Sequence, residues 1–307
     1  MDFFDELEKE GVIITPEQRK TIEERITMAL QYEPTIGFFG KTGVGKSSLC
    51  NALFGEKICE ISDIEACTRD TKKVLLDIGC KGVTLIDVPG FGESNERDAE
   101  YAELYAKLLP ELDLVLWVLK ADDRAFSSDE KFYNGIVKPH IQQGKPFFFV
   151  LNQVDKIEPF REWDFEGRKP GVNQLSNIDQ KTEAVAQAFK HPKTKILSVS
   201  ASEKYNLVNL VDSIVYNLPG IKRVTLYHKV PKENWSKEQE AFAKIGLADE
   251  TKKIIREELG SEIAEEADIA IKKKPGLLGT LFRGAMSILK VIFRIPWPPF
   301  PIPRFPL

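Results

Sequence analysis

The chain has 307 residues, 42% hydrophobic and 29% charged, a balance that excludes a disordered or fibrous protein and suits one α/β domain of about 150–200 residues with helical additions. The net charge of −4 is unevenly spread: from Lys272 onward there are seven cations and no carboxylate, leaving 36 cations against 47 acids in the rest. An acidic body with a basic, apolar tail reserves any anionic partner for the tail.

Cys50, Cys59, Cys67 and Cys80 form no C-x-x-C pair and have no histidine at metal-ligand spacing. This predicts reduced thiols in a cytoplasmic chain, without a zinc site. His140, His191 and His228 are scattered, as surface or packing histidines are. The acidic opening Met1-Asp-Phe-Phe-Asp-Glu predicts no secretory leader.

In chain order, residues 1–33 read as a helical lead-in. Thr15-Pro16-Glu17-Gln18 supplies an N-cap, a proline at the first helical position and a capping-box Gln ahead of Ile22, Ile26, Ala29 and Leu30. Apolar runs then fall at 35–39, 72–78, 83–88, 113–119, 146–151 and 195–200, with helical segments near 46–54, 98–109, 127–142, 178–190 and 205–218. Strands this apolar are buried on both faces, which predicts a mostly parallel sheet covered by helices. Only Gly79-Cys-Lys-Gly82 separates the second and third runs, so that pair should be an antiparallel hairpin. The expected divisions are 34–220 for the α/β domain, 221–274 for a charged helical region and 275–307 for a basic apolar helix with a proline-rich end.

Gly40-Lys41-Thr42-Gly43-Val44-Gly45-Lys46-Ser47, followed by Ser48, matches G-x-x-x-x-G-K-[ST] between a strand and a helix. Such a loop wraps phosphates in backbone N–H groups at a helix N-terminus. Lys46 is the expected bridge between β- and γ-phosphates, and Ser47 a ligand of Mg²⁺. Asp87-Val-Pro-Gly90 ends a strand, where a carboxylate can hold Mg²⁺ through water and Gly90 can offer its N–H to the γ-phosphate. Asn152-Gln153-Val154-Asp155 ends another strand. A carboxylate there can accept the N1–H and exocyclic NH₂ of guanine, a donor pair adenine lacks. The backbone of Ser200-Ala201-Ser202 can meet the guanine carbonyl. Together these residues predict a protein that binds GTP and GDP.

The set resembles the G1, G3, G4 and G5 boxes of translation-factor-class GTPases, and Thr68-Arg69-Asp70 is similar to the G2 element of the Era/TrmE-like family. The runs GKTGVGKSSLCNALFG, EACTRDT, LLPELDLVLWVLKADDRAFSSDEKFY and FFFVLNQVDKIEP resemble the prophage-type bacterial GTPases of the YfjP/YeeP/YkfA group, labelled 50S-ribosome-binding GTPases. Over about residues 34–219 the resemblance implies a Ras-like P-loop G domain, six-stranded and mostly parallel with one antiparallel strand, hydrolysing GTP as a conformational switch. It implies that Thr68, with Thr71 as the alternative, reaches Mg²⁺ and the γ-phosphate, so that the metal set is Ser47, Thr68 and Asp87.

Three positions depart from the pattern. Gln153 stands where Lys is usual, Gly43 where potassium-activated relatives carry Asn, and Phe91 where Ras-like enzymes have the glutamine that orients water. A phenyl ring cannot activate water, so slow intrinsic hydrolysis is expected, with Arg69 or Arg97 in cis, or an arginine from a partner, as the assisting cation; surface solvation is the plainer role for both. Asp122-Asp-Arg124 and the capping box Ser127-Ser-Asp-Glu130 read as structural, and Glu162-Trp-Asp-Phe-Glu166 with the run to Asn173 as a polar insertion, an effector surface or a plain loop.

From Leu277 to Ile295, Arg283, Ser287, Lys290 and Arg294 form one stripe opposite a broad apolar face. Three readings stay open: a helix lying on a membrane surface through 277–300, which would place the chain at the inner face of the membrane; a helix docked into an apolar groove on the G domain or in a homodimer; and a membrane span. A ribosome or RNA partner is implied by the family label, but the acidic body offers no basic platform and no KH-type G-x-x-G module follows the G domain.

Overall fold

The computed structural model describes residues 3–31, 34–41, 43–54, 103, 105–123, 126–141, 144–218 and 220–292. It divides into two compact units, one holding 34–218 and 229–242, the other the N-terminal helices, 219–228 and the chain from Ala243 onward.

The first unit is built on strands β1 (Ile36–Phe39), β2 (Leu114–Lys120), β3 (Phe147–Asn152) and β4 (Ile196–Ser198), parallel and in the order β1-β2-β3-β4. Registers run Phe39↔Trp117, Lys120↔Asn152 and Leu151↔Ser198, so the carboxyl ends of all four strands gather on one edge. Ligands bind at this edge in open α/β sheets. The apolar runs are the cause: β1 and β3 are buried throughout, β2 to its last residue but one, as parallel strands between helical layers must be. On one face Val115, Trp117, Leu119, Phe147, Phe149 and Phe189 join one core. The runs at 72–78 and 83–88, and the hairpin between them, lie outside the described residues, so the described sheet is four-stranded and parallel where six strands with one antiparallel were expected.

Helix α3 (Lys46–Phe54) follows β1. After β2, α4 (Ser127–Phe132) passes through a π-helical stretch, Tyr133–Val137, into α5 (Lys138–Ile141). Pro139 has no N–H for a regular helical bond, which accounts for the change of pitch. The expected capping box at Ser127 does not form: Phe126 is the N-cap residue and no side chain caps the helix. Asp129 is drawn inward instead, to Lys41 and Trp117. After β3, α6 (Val172–Phe189) begins six residues before the expected 178. Its start is supplied from a distance, by Glu162 Oε2 accepting the Asn173 N–H at 3.0 Å and Oε1 accepting from Asn173 Nδ2 at 2.7 Å. The polar insertion is therefore partly helix, and Trp163 within it is buried against Tyr205. His191 packs on Phe147 and Phe149 and meets the Tyr133 hydroxyl at 3.1 Å. Helix α7 (Leu207–Asn217) follows β4.

The chain continues through α8 (Gly220–Lys229), α9 (Lys237–Leu259), α10 (Ser261–Lys273) and α11 (Pro275–Ile292). In the second unit, α1 (Phe3–Lys9) precedes α2 (Pro16–Gln31), whose capping box forms reciprocally: Thr15 N–H to Gln18 Oε1 at 2.9 Å and Gln18 N–H to Thr15 Oγ1 at 3.3 Å. At Gly246 a Cβ would lie 2.3 Å from the Gly220 carbonyl oxygen, so two helix backbones touch. Gly260, at φ +94°, separates α9 from α10. The apolar face of α11, with Leu277, Leu281, Phe282, Ala285 and Leu289, is buried, and α11 packs on α1, α2 and α10. The partners of α11 thus belong to its own unit, where one of the three readings named a groove on the G domain or in a dimer. None of their helices is long and apolar enough to cross a membrane.

Candidate nucleotide site

The phosphate loop leaves β1 through Gly40, whose φ of +134° and whose position, with a would-be Cβ 2.2 Å from the Val118 carbonyl oxygen, admit no side chain. Gly43 and Gly45 also have positive φ, at +83° and +88°. Helix α3 starts at Lys46, so the loop ends on a helix N-terminus. The Lys46 ammonium, nearly buried, donates to the carbonyls of Gly40 and Lys41, each at 2.9 Å. Its charge is thereby held at the mouth of the loop. Ser47 is half-buried in the first turn of α3 and Ser48 is exposed. Thr42 lies outside the described residues.

Lys41 turns its side chain the other way, to Asp129 Oδ2 at 2.5 Å. Burial pushes the Asp129 carboxyl above its usual range, opposed by the hydrogen bond from Lys41.

Asn152, 1% exposed, ties the loops together. Its Nδ2 donates to the Val44 carbonyl at 2.9 Å, and its Oδ1 accepts the Ala201 N–H at 3.1 Å. One amide thus joins the phosphate loop, the end of β3 and the segment after β4. Within that segment Ser200 exchanges backbone bonds with Tyr205, and its hydroxyl meets Ser202 Oγ at 3.1 Å. Gln153 sits at φ +64° with Nε2 3.3 Å from the Gly43 carbonyl, and its Oε1 accepts from Lys156 at 2.7 Å. The uncharged Gln153 therefore still bridges to the phosphate loop.

Asp155 lies on a single 3-10 turn, Val154–Lys156. Its Oδ1 is buried and has no hydrogen-bond partner among the described residues. Such an atom is costly unless something donates to it. Gln174, fully buried on α6, fixes the turn by donating to the carbonyls of Asp155 at 3.0 Å and Ile157 at 2.8 Å. Sequence reasoning missed Gln174: a lone glutamine in a helix carries no signal of a partner 17 or 19 residues away.

The structure thus brings together Gly40, Lys41, Gly43, Val44, Lys46, Asn152, Gln153 and Ala201 by direct contact, with Gly45 and Ser47 on either side of Lys46 and Asp155 on the turn after Gln153. Thr68, Arg69, Asp87 and Gly90, with Thr71, Phe91 and Arg97, lie outside the described residues. Of the expected Mg²⁺ ligands only Ser47 is described, placed beside Lys46 as a P-loop ligand must be.

A sequence profile described as "50S ribosome-binding GTPase" matches residues 35–153. The uncharacterized protein YkfA of Escherichia coli K12 is 42% identical over 196 residues, which are 64% of this chain and 66% of YkfA. YfjP of the same organism, also uncharacterized, is 41% identical over 198 residues, covering 64% of this chain and 67% of YfjP. The chain thus spans about two thirds of the length of these relatives. A crystal structure of Era in complex with MgGDPNP and nucleotides 1506-1542 of 16S ribosomal RNA is 28% identical, covering 61% of this chain and 57% of Era, with a TM-score of 0.42.

Proposed function

This chain belongs to the GTPase family of that profile and of YfjP, and from that membership we propose that it binds guanine nucleotides between the phosphate loop and Asp155 and hydrolyses GTP to GDP and phosphate. The observation that carries the proposal is the buried Oδ1 of Asp155, without a partner among the described residues, on a turn that Gln174 holds and Asn152 and Gln153 join to the phosphate loop. Guanine presents two adjacent donors to such a carboxylate; adenine presents none in that arrangement, and a site left unpaired rejects the wrong base strongly.

In this reading Lys46, already at the loop mouth, meets the β- and γ-phosphates, and the N–H groups of 43–48 surround them. Mg²⁺, when bound, neutralises phosphate charge, with Ser47 as the described ligand and Thr68 and Asp87 as the others. Thr68 and Gly90 respond to the γ-phosphate, and release of their loops after hydrolysis supplies the switch. Phe91 in place of a water-orienting glutamine supports slow unaided turnover, with Arg69 as the assisting cation. The two strands needed to complete a six-stranded G fold come from 72–78 and 83–88.

The test is equilibrium binding of GTP, GDP and ATP to the full chain with Mg²⁺, followed by single-turnover hydrolysis. Guanine nucleotides should bind at least about 100-fold tighter than ATP; equal affinities overturn the proposal. A hydrolysis rate no faster than that of GTP in buffer would instead leave a GTP-dependent scaffold. The family description names the 50S ribosome, and cosedimentation with 50S subunits in moderate salt, with GTP or GDP, tests whether this chain shares that partner.

A further inference from the structure

We propose that Asp129 is a positioning residue for the phosphate grip, acting through Lys41; the inference rests on the nucleotide-binding role of the loop proposed above.

The geometry runs from the sheet to the loop. Trp117, wholly buried on β2 and opposite Phe39 at the end of β1, points its indole N–H at Asp129 Oδ1, 3.4 Å away. The Phe39 ring lies parallel to the indole at 6.4 Å and the Phe132 ring packs on it at 5.8 Å, so the donor is fixed. The other oxygen of Asp129 takes the Lys41 ammonium at 2.5 Å, with 2% of the Asp129 side chain and 23% of the Lys41 side chain exposed. The Lys41 carbonyl is in turn one of the two that hold Lys46. A buried carboxylate on α4, a rigid indole and the second residue of the loop are therefore linked in series to the ammonium that meets phosphate.

The physical consequence is preorganisation. Burying the Asp129 charge is costly without its cation, and the cation reaches it only while the backbone at 40–41 keeps its present path. That path is also the one that aims both carbonyls at Lys46. The same pairing spends the Lys41 charge inside the protein, so this side chain does not compete with Lys46 for the phosphates.

A buried ion pair can often be exchanged for apolar side chains without loss of stability, which separates positioning from mere support of the fold. Two variants of the full chain, D129N and K41M/D129L, are compared with wild type for fluorescent GDP affinity, KM, kcat and Tm. D129N should weaken GDP binding by about tenfold and raise KM by more than it lowers kcat, because it alters the placing of the phosphate grip and not its chemistry. K41M/D129L should recover the wild-type Tm while its affinity stays low. Wild-type affinity in D129N overturns the inference, and so does a double variant whose affinity returns together with its Tm. Failure of the wild type to prefer GTP over ATP would instead strike the proposed function and leave the pair's effect on the loop measurable through any nucleotide that binds.

Discussion

The side-chain amide of Asn152 lies 2.9 Å from the carbonyl oxygen of Val44, 108 residues earlier, and closes the phosphate loop onto the end of β3. Replacing Asn152 with Ala leaves that carbonyl and the Ala201 N–H unpaired in a buried setting, at about 1–3 kcal/mol each. Thermal unfolding should show a Tm lower by several degrees, and GDP binding should be lost with it. An unchanged Tm would mean that the two loops hold their positions without the amide.

Asp155→Asn reverses one donor–acceptor match. The variant should lose affinity for GTP by at least about tenfold and gain affinity for xanthosine triphosphate, whose extra carbonyl can accept from an amide. Competition binding with the two nucleotides reads the exchange directly.

Gln174→Leu removes both hydrogen bonds to the Asp155 turn, leaving the carbonyls of Asp155 and Ile157 without this donor. The cost should be about 1–3 kcal/mol, and the preference for GTP over ATP should narrow as the carboxylate loses its fixed place. A variant that unfolds earlier yet keeps full base selectivity would show that Gln174 serves the fold alone.

Gly40 and Gly43 separate two kinds of glycine requirement. A Cβ at Gly40 would strike the Val118 carbonyl at 2.2 Å, whereas one at Gly43 would meet nothing within 4 Å among the described residues and has φ +83° against it. Gly40→Ala should therefore abolish nucleotide binding, and Gly43→Ala should cost about 1–2 kcal/mol of backbone strain. Equal defects would contradict the described path of the loop.

Burial, reinforced by Lys195 and Lys138, lowers the His191 pKa from 6.5 to about 4. Between those values the unfolded chain binds a proton that the folded chain does not, so stability rises with pH there and is lost as pH falls from about 6.5 toward 4. His191→Gln should flatten that part of the Tm–pH curve relative to wild type; an unchanged slope would assign the dependence to carboxylates.

What the sequence discloses and what it hides divide along one line. The phosphate loop, the four described strands and the α2 capping box are short-range patterns, written in glycine spacing, apolar runs and a Thr–Gln pair, and they are found where the pattern puts them. What escaped is the work of single polar side chains across long separations. Glu162 starts α6 earlier than its local sequence suggests, Asp129 pairs with a lysine far back in the chain, and Gln174 braces a turn on another element. The tail's periodicity showed an apolar face but not its cover, because a membrane and a set of helices offer that face the same chemistry.

Asn234 has a consequence for where the nucleotide-binding unit ends. Its side chain, 4% exposed, donates to the carbonyls of Ala52 and Leu53 at 2.8 and 3.1 Å, in the last turn of the helix that begins with Lys46. Ser236 meets Asp212 on α7 at 2.7 Å, and Phe242 packs edge-on against Tyr216. A fragment trimmed at the last recognisable motif, near residue 220, would carry every nucleotide box and still leave the far end of that helix with bare carbonyls. One ending after Phe242 keeps the plug in place, and of the two it should be the fragment that stays in solution and loads with GDP.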